Sequence, residues 1–112
     1  MPNEKNAGST AVLLLKLLEE KDMYGYEMME ALTQRSNQLF HLKAGTLYPI
    51  LHGLEKAGWI ASYEQDVDGR TRKYYHLTKE GQKEVSEQTA RWERYAAAVN
   101  QILKGGVQGA GV

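Results

Sequence analysis

The sequence predicts a mainly α-helical domain with a small β-hairpin, in the order helix, helix, helix, hairpin, long helix. Three observations predict it. Apolar residues recur at three- and four-residue spacing in separate stretches before and after residue 60. Two aromatic-rich segments flank Asp68-Gly69, a dipeptide favoured in hairpin turns. Gly58 stands just past the third helical stretch, where a left-handed C-terminal cap favours glycine.

Each element has its own signal. Residues 9–20 read as a first helix, with Ser9 or Thr10 available as cap and Val12, Leu14, Leu15 and Leu18 as its apolar face. Asp22-Met-Tyr-Gly25 breaks it. A second helix is expected over 25–35, burying Tyr26, Met29, Leu32 and Met28, and Ser36–Lys43 forms a short connection. A third helix is expected over 44–57. Residues 59–64 and 72–77 read as strands, with Lys73, Tyr75 and Leu77 on one face and Arg72, Tyr74 and His76 on the other. Thr78 can cap a last helix reaching Leu103, although Gly81 at its third position denies it a full capping box. This divides the chain into a flexible N-terminus (1–8), a winged helix-turn-helix (9–78), a C-terminal dimerisation helix (79–104) and a flexible Gly-rich tail (105–112).

Composition bounds the function. With 112 residues, 42% apolar and 25% charged, one globular domain is expected. The absence of cysteine excludes disulfides, thiolate metal sites and cysteine nucleophiles, and fits a cytoplasmic location. No apolar run approaches the ~20 residues of a membrane span. Formal net charge is zero, but residues 40–79 carry six Lys/Arg against four Asp/Glu, and Arg70, Arg72 and Lys73 fall within four positions. Such local asymmetry can aim one face at a polyanion.

On a helical wheel, Leu47, Ile50, Leu51 and Leu54 occupy a sector of about 100°, which is a core-facing stripe. The opposite side carries Gly45, Pro49, His52 and Lys56, flanked by Thr46, Tyr48 and Gly53. Two glycines and a proline make that side shallow, so the helix backbone can sit deep in a DNA major groove. Pro49 is expected near the first turn, where its missing N–H matters least. Read blandly, the glycine and proline only start the helix, and the hairpin cations only keep its tip soluble.

Four segments now stand in order: Tyr24-Gly-Tyr-Glu27, Gly45-Thr-Leu-Tyr-Pro-Ile-Leu51, Leu54-Glu-Lys-Ala-Gly-Trp-Ile60 and Gly69-Arg-Thr-Arg-Lys-Tyr-Tyr-His-Leu-Thr78. Together the chain resembles the PadR family of transcriptional regulators, in its compact branch with a single C-terminal helix. The resemblance implies a dimeric winged-helix repressor on double-stranded DNA. Lys43 just before the third helix and Thr46, Tyr48, Pro49, His52 and Lys56 on it would face the duplex, with Arg70, Arg72 and Lys73 as the wing. Gly53 departs from the pattern, since many relatives carry arginine there.

Val85, Trp92 and Val99 fall seven apart, with Thr89, Tyr95, Ala96, Ile102 and Leu103 between and after them. That is a seam for a partner helix, and a homodimer would suit a near-palindromic operator. Trp92 is either an aromatic of that seam or, with Ala96, part of a gap where a flat aromatic effector stacks. The second reading draws on a resemblance of Ala90-Arg-Trp-Glu-Arg-Tyr95 to the last helix of multidrug-responsive members.

No enzyme is expected. His41, His52 and His76 lack metal-ligand spacing, no phosphate-binding glycine loop follows a strand, and no serine has a nucleophile's context, so neither cofactor nor metal is implied. The alternative to a DNA-binding repressor is a winged-helix module that binds protein, favoured by the neutral charge and Gly53.

Overall fold

The structure, a computed structural model, describes residues 2–110, with side chains for residues 10–105. Its elements are α1 (Pro2–Glu20), β1 (Met23–Tyr24), α2 (Gly25–Arg35), α3 (Ala44–Lys56), β2 (Ile60–Val67), β3 (Arg70–Leu77) and α4 (Lys79–Ala110). The strands form one antiparallel sheet in the order β1-β3-β2. This is a winged helix-turn-helix with a long C-terminal helix.

The core forms where the apolar stripes meet. Leu14, Leu15, Leu17 and Leu18 of α1, Met28 and Leu32 of α2, and Leu47, Leu51 and Leu54 of α3 close on Ile60, Tyr75 and Val85. Tyr75 is 1% exposed, and burial pushes its phenol pKa up. Tyr26 does not join them: it is 57% exposed, and Met28 takes the inward position, because the buried face of α2 runs through Gly25, Met28 and Leu32.

The hairpin is tighter than the sequence suggests. β2 and β3 pair without interruption from Ile60↔Leu77 to Val67↔Arg70, leaving only Asp68-Gly69 as the turn. Both have positive φ (52° and 76°), as a two-residue primed turn requires. β1 is an element with no sequence signal of its own. Met23 and Tyr24 pair with Tyr75 and Tyr74, so the segment read as a helix break also closes the sheet.

Helix bounds differ at both ends of the chain. α1 starts at Pro2 and α4 continues to Ala110, so helical backbone enters both segments expected to be flexible, while Met1, Gly111 and Val112 lie outside the described residues. At the start of α4, Thr78 Oγ1 accepts the Gly81 amide (3.0 Å) and donates to the Gly58 carbonyl (2.7 Å). Gly81 is required for contact, since a Cβ there would collide with the Trp59 carbonyl oxygen.

At 32 residues, α4 is roughly 48 Å long, against a body 29 × 26 Å in its shorter dimensions. Its first turns pack on α1. From Arg91 to Lys104 every residue except Ala96 is exposed.

Candidate nucleic-acid interface

The inward stripe of α3 fixes what its other side shows. With Leu47, Leu51 and Leu54 buried, Gly45, Thr46, Tyr48, Pro49, His52, Gly53 and Lys56 all lie exposed. Gly45 and Gly53 each have open space where a side chain would project, so the face is shallow in three dimensions as well as on the wheel. Pro49 is the sixth residue of α3 and so lies in its second turn rather than its first. It therefore withholds a donor from the Gly45 carbonyl, which sits on the exposed side. Lys43 caps the helix through its backbone (φ −92°, ψ 158°) and supplies no side-chain acceptor, leaving the first amides of α3 open to an anion.

Tyr48 is less free than its neighbours. It is 37% exposed, and its ring lies over Gly25 so closely that a Cβ there would fall 2.8 Å from Cζ and nearer still to the hydroxyl. The last turn of α3 is tied to the sheet by Ser62 Oγ, which donates to Glu55 Oε2 (2.6 Å).

The wing cations divide between the two faces of the sheet. Arg70 and Arg72 stand opposite Val67 and Gln65 on the outer face, whereas Lys73 stands opposite Glu64 on the core-facing side, 5.7 Å from the Tyr75 ring. The Arg72 guanidinium lies 4.3 Å from the centroid of Tyr24, and its Nε is buried without a hydrogen-bond partner among the described residues. Among those residues no ion pair involves Lys43, Lys56, Arg70, Arg72 or Lys73, whereas Lys16, Lys21, Arg35 and Arg91 each pair with a glutamate. The unpaired set also includes Lys79, Lys83, Arg94 and Lys104 around α4.

The outer face of the sheet also carries a row of tyrosines. Tyr24 meets Tyr74 edge-on (5.5 Å, 69°), and Tyr74 stacks on Tyr63 (5.8 Å, 17°). Tyr63 donates to Asp22 Oδ2 (2.7 Å), a bond that pushes the phenol up to about 12, and His76 Nδ1 lies 2.9 Å from Asp22 Oδ1. Partial burial raises the Asp22 pKa, but hydrogen bonds from Tyr63 and His76 outweigh it and hold the carboxyl below its usual range. Sequence reading placed Tyr74 and His76 on this face but did not connect Tyr24 to it.

The seam residues separate into two groups. Val85 is fully buried in the chain's own core, because the first turns of α4 pack on α1, so it is unavailable to a partner. Thr89 and Ala96 are half-buried. Trp92, Tyr95, Val99, Ile102 and Leu103 are exposed by 36–78%, with the Trp92 and Tyr95 rings 5.5 Å apart. Two shallow concavities of about 370 and 280 Å³ lie beside α2, and neither includes Trp92 or Ala96. Among the described residues no group of three His, Asp or Glu side chains has the placement of a metal site, and no helix is long and apolar enough to cross a membrane.

Comparison with known proteins agrees with this architecture. Residues 14–87 match the model of the transcriptional regulator PadR-like family. An uncharacterized protein of Lysinibacillus sphaericus is 37% identical over 94 residues, which is 83% of this chain and 86% of that one. A transcriptional regulator structure from Clostridium thermocellum superposes with a TM-score of 0.79 at 33% identity, covering 88% of this chain and 93% of that one. A PadR family regulator from Eggerthella lenta gives 0.76 at 32% identity, covering 93% and 89%.

Proposed function

Because the chain belongs to the PadR-like family, whose members are transcriptional regulators and not enzymes, we propose that it represses transcription by binding a near-palindromic operator as a homodimer. The observation that carries this reading is the exposed side of α3: a shallow face with open amides at its start, held rigidly by a buried leucine stripe and flanked by unpaired wing cations. Thr46, Tyr48, Pro49 and His52 present donors and apolar edges to base pairs, while Lys43, Lys56, Arg70, Arg72 and Lys73 meet phosphates. Contacts of the second kind position the protein on any sequence, and those of the first kind select one.

The second copy is supported by α4. Trp92, Tyr95, Val99, Ile102 and Leu103 place a large apolar surface in water along one helix, which a monomer has no means of covering. Pairing of two such helices sets the distance between the two α3 helices, and so the half-site spacing. A flat aromatic effector stacking on Trp92 beside Ala96 would release the DNA by favouring a different spacing, provided it binds the two arrangements with different affinity. Such a regulator works in the cytoplasm. Neutral net charge and Gly53 favour a second reading, a winged-helix module that binds protein.

Salt separates the two. With three or four of these five cations on phosphates at once in each subunit, the log–log slope of binding against salt is roughly −5 to −7 for the dimer. Fluorescence anisotropy on the DNA upstream of the protein's own gene, beside a scrambled duplex, gives that slope directly. Absence of a complex at every practical salt concentration would favour the protein-binding module.

A further inference from the structure

Two adjacent residues touch both elements of the candidate interface. Tyr24 lies under the Arg72 guanidinium of the wing, and Gly25 lies under the Tyr48 ring of α3. We infer that the Tyr24-Gly25 junction is a positioning joint, which holds the wing arginine and the α3 tyrosine in fixed relation so that both engage one duplex. This rests on the DNA-binding reading and names residues within it that touch no DNA themselves.

The Tyr24 ring is itself braced. Tyr74 holds its position edge-on, Tyr63 stacks behind Tyr74, and Asp22 anchors the Tyr63 hydroxyl. Asp22 also takes His76, so its carboxylate is committed away from Arg72. The hairpin offers Arg72 other carboxylates, yet Asp66 instead accepts the Thr71 hydroxyl (2.7 Å) and none pairs with the guanidinium. Arg72 is therefore held by an aromatic face and a buried stem while keeping its full charge. That combination suits a cation waiting for phosphate, since stacking orders the guanidinium without neutralising it.

The other arm depends on a missing side chain. Any Cβ at residue 25 would displace Tyr48 from its seat on the first residue of α2. Since β1 pairs directly with β3, a shift at this junction moves the wing and α3 relative to each other.

The test is a pair of double-mutant cycles in the full-length protein, read by anisotropy on the upstream duplex and a scrambled control. Tyr24→Leu is expected to weaken binding by about threefold to thirtyfold, and Tyr24→Phe, which keeps the ring, by no more than about twofold. In an Arg72→Ala background Tyr24→Leu should have no further effect. Arg72→Lys, which keeps the charge but loses the planar guanidinium that stacks on Tyr24, should lose a similar factor and likewise remove the sensitivity to residue 24. Gly25→Ala should lower discrimination between the duplexes, and should not lower it further once Tyr48 is alanine.

Fully additive losses in both cycles would overturn the joint, because they would show Tyr24 and Gly25 acting through general stability. If the parent protein shows salt-steep binding and the cycles are additive, only this inference fails. If the parent shows no salt-dependent complex, the DNA-binding reading fails and the joint falls with it.

Discussion

Replacing Gly81 by alanine should destabilise the protein, although helix propensity alone argues the reverse. Gly81 is the third residue of α4, and exchanging glycine for alanine in a helix gains up to about 1 kcal/mol. Here the new Cβ would meet the Trp59 carbonyl oxygen well inside contact distance, with Leu77 Cδ1 at 2.8 Å and Trp59 C at 2.9 Å. A side chain can swing aside, but this carbonyl cannot, because it accepts the Thr78 amide (3.1 Å) beside the cap that starts α4. Overpacking of this kind costs about 1–3 kcal/mol. Loss of the Thr78 bond adds about 1 kcal/mol. Net of the propensity gain, the expected loss is about 2 kcal/mol, a fall in Tm of roughly 8 °C for a chain this size. The control is Gly53→Ala on α3, where no atom lies within 4 Å of the new Cβ and a gain of about 0.5–1 kcal/mol is expected. Urea and thermal unfolding by circular dichroism, at one fixed protein concentration without DNA, compare the two. If Gly81→Ala is as stable as the parent, the close approach of α4 to Trp59 does not limit the fold.

Further consequences concern charge, effector and pH. Gly53→Arg adds a cation to the exposed side of α3 in each subunit, and should steepen the salt dependence of DNA binding by about 2 log units per log unit of salt for a dimer; an unchanged slope would place residue 53 away from the phosphates. Trp92→Phe should abolish most effector-dependent fluorescence quenching, and an identical response from the variant, with only Trp59 remaining, would exclude Trp92 as the stacking surface. The Asp22 carboxyl titrates below its unfolded value, so its contribution is present above about pH 4 and is lost as pH falls through the folded-state pKa. Asp22→Asn should therefore flatten the acid side of a Tm-against-pH curve, leaving the part due to Glu19, which hydrogen bonds from Lys16 and Gln82 also hold low. A variant curve parallel to the parent's would show that Asp22 is not held by Tyr63 and His76 in solution.

The parts of the fold legible in the sequence are those with local causes. Gly25–Arg35 and Ala44–Lys56 follow from apolar spacing, Gly58 marks the end of α3, and Asp68-Gly69 marks the turn. β1 was hidden because a two-residue strand has no period and exists only through pairing with Tyr74 and Tyr75. Val85 matched the heptad of the exposed Trp92 and Val99, yet its position is set by α1, whose approach no local pattern reports. Gly81 read as a defect in a cap because the carbonyl that excludes a side chain comes from Trp59, across the hairpin. The exposed side of α3 was legible for a simple reason: four apolar residues on one face of a helix leave the other face determined. The stack of Arg72 on Tyr24 was not, since it joins the strand before α2 to the wing strand β3, far apart in the chain.

The central claim is that α3 selects sequence while the wing supplies affinity for any duplex. The measurement that tests it most directly compares Thr46→Val and Arg72→Ala with the parent on upstream and scrambled DNA across a salt series. Thr46→Val is expected to lower the ratio of the two affinities and to leave the salt slope intact. Arg72→Ala is expected to weaken binding to both duplexes alike and to make the slope shallower by about 2 for a dimer. Equal losses on both duplexes from Thr46→Val, or an unchanged slope from Arg72→Ala, would contradict it.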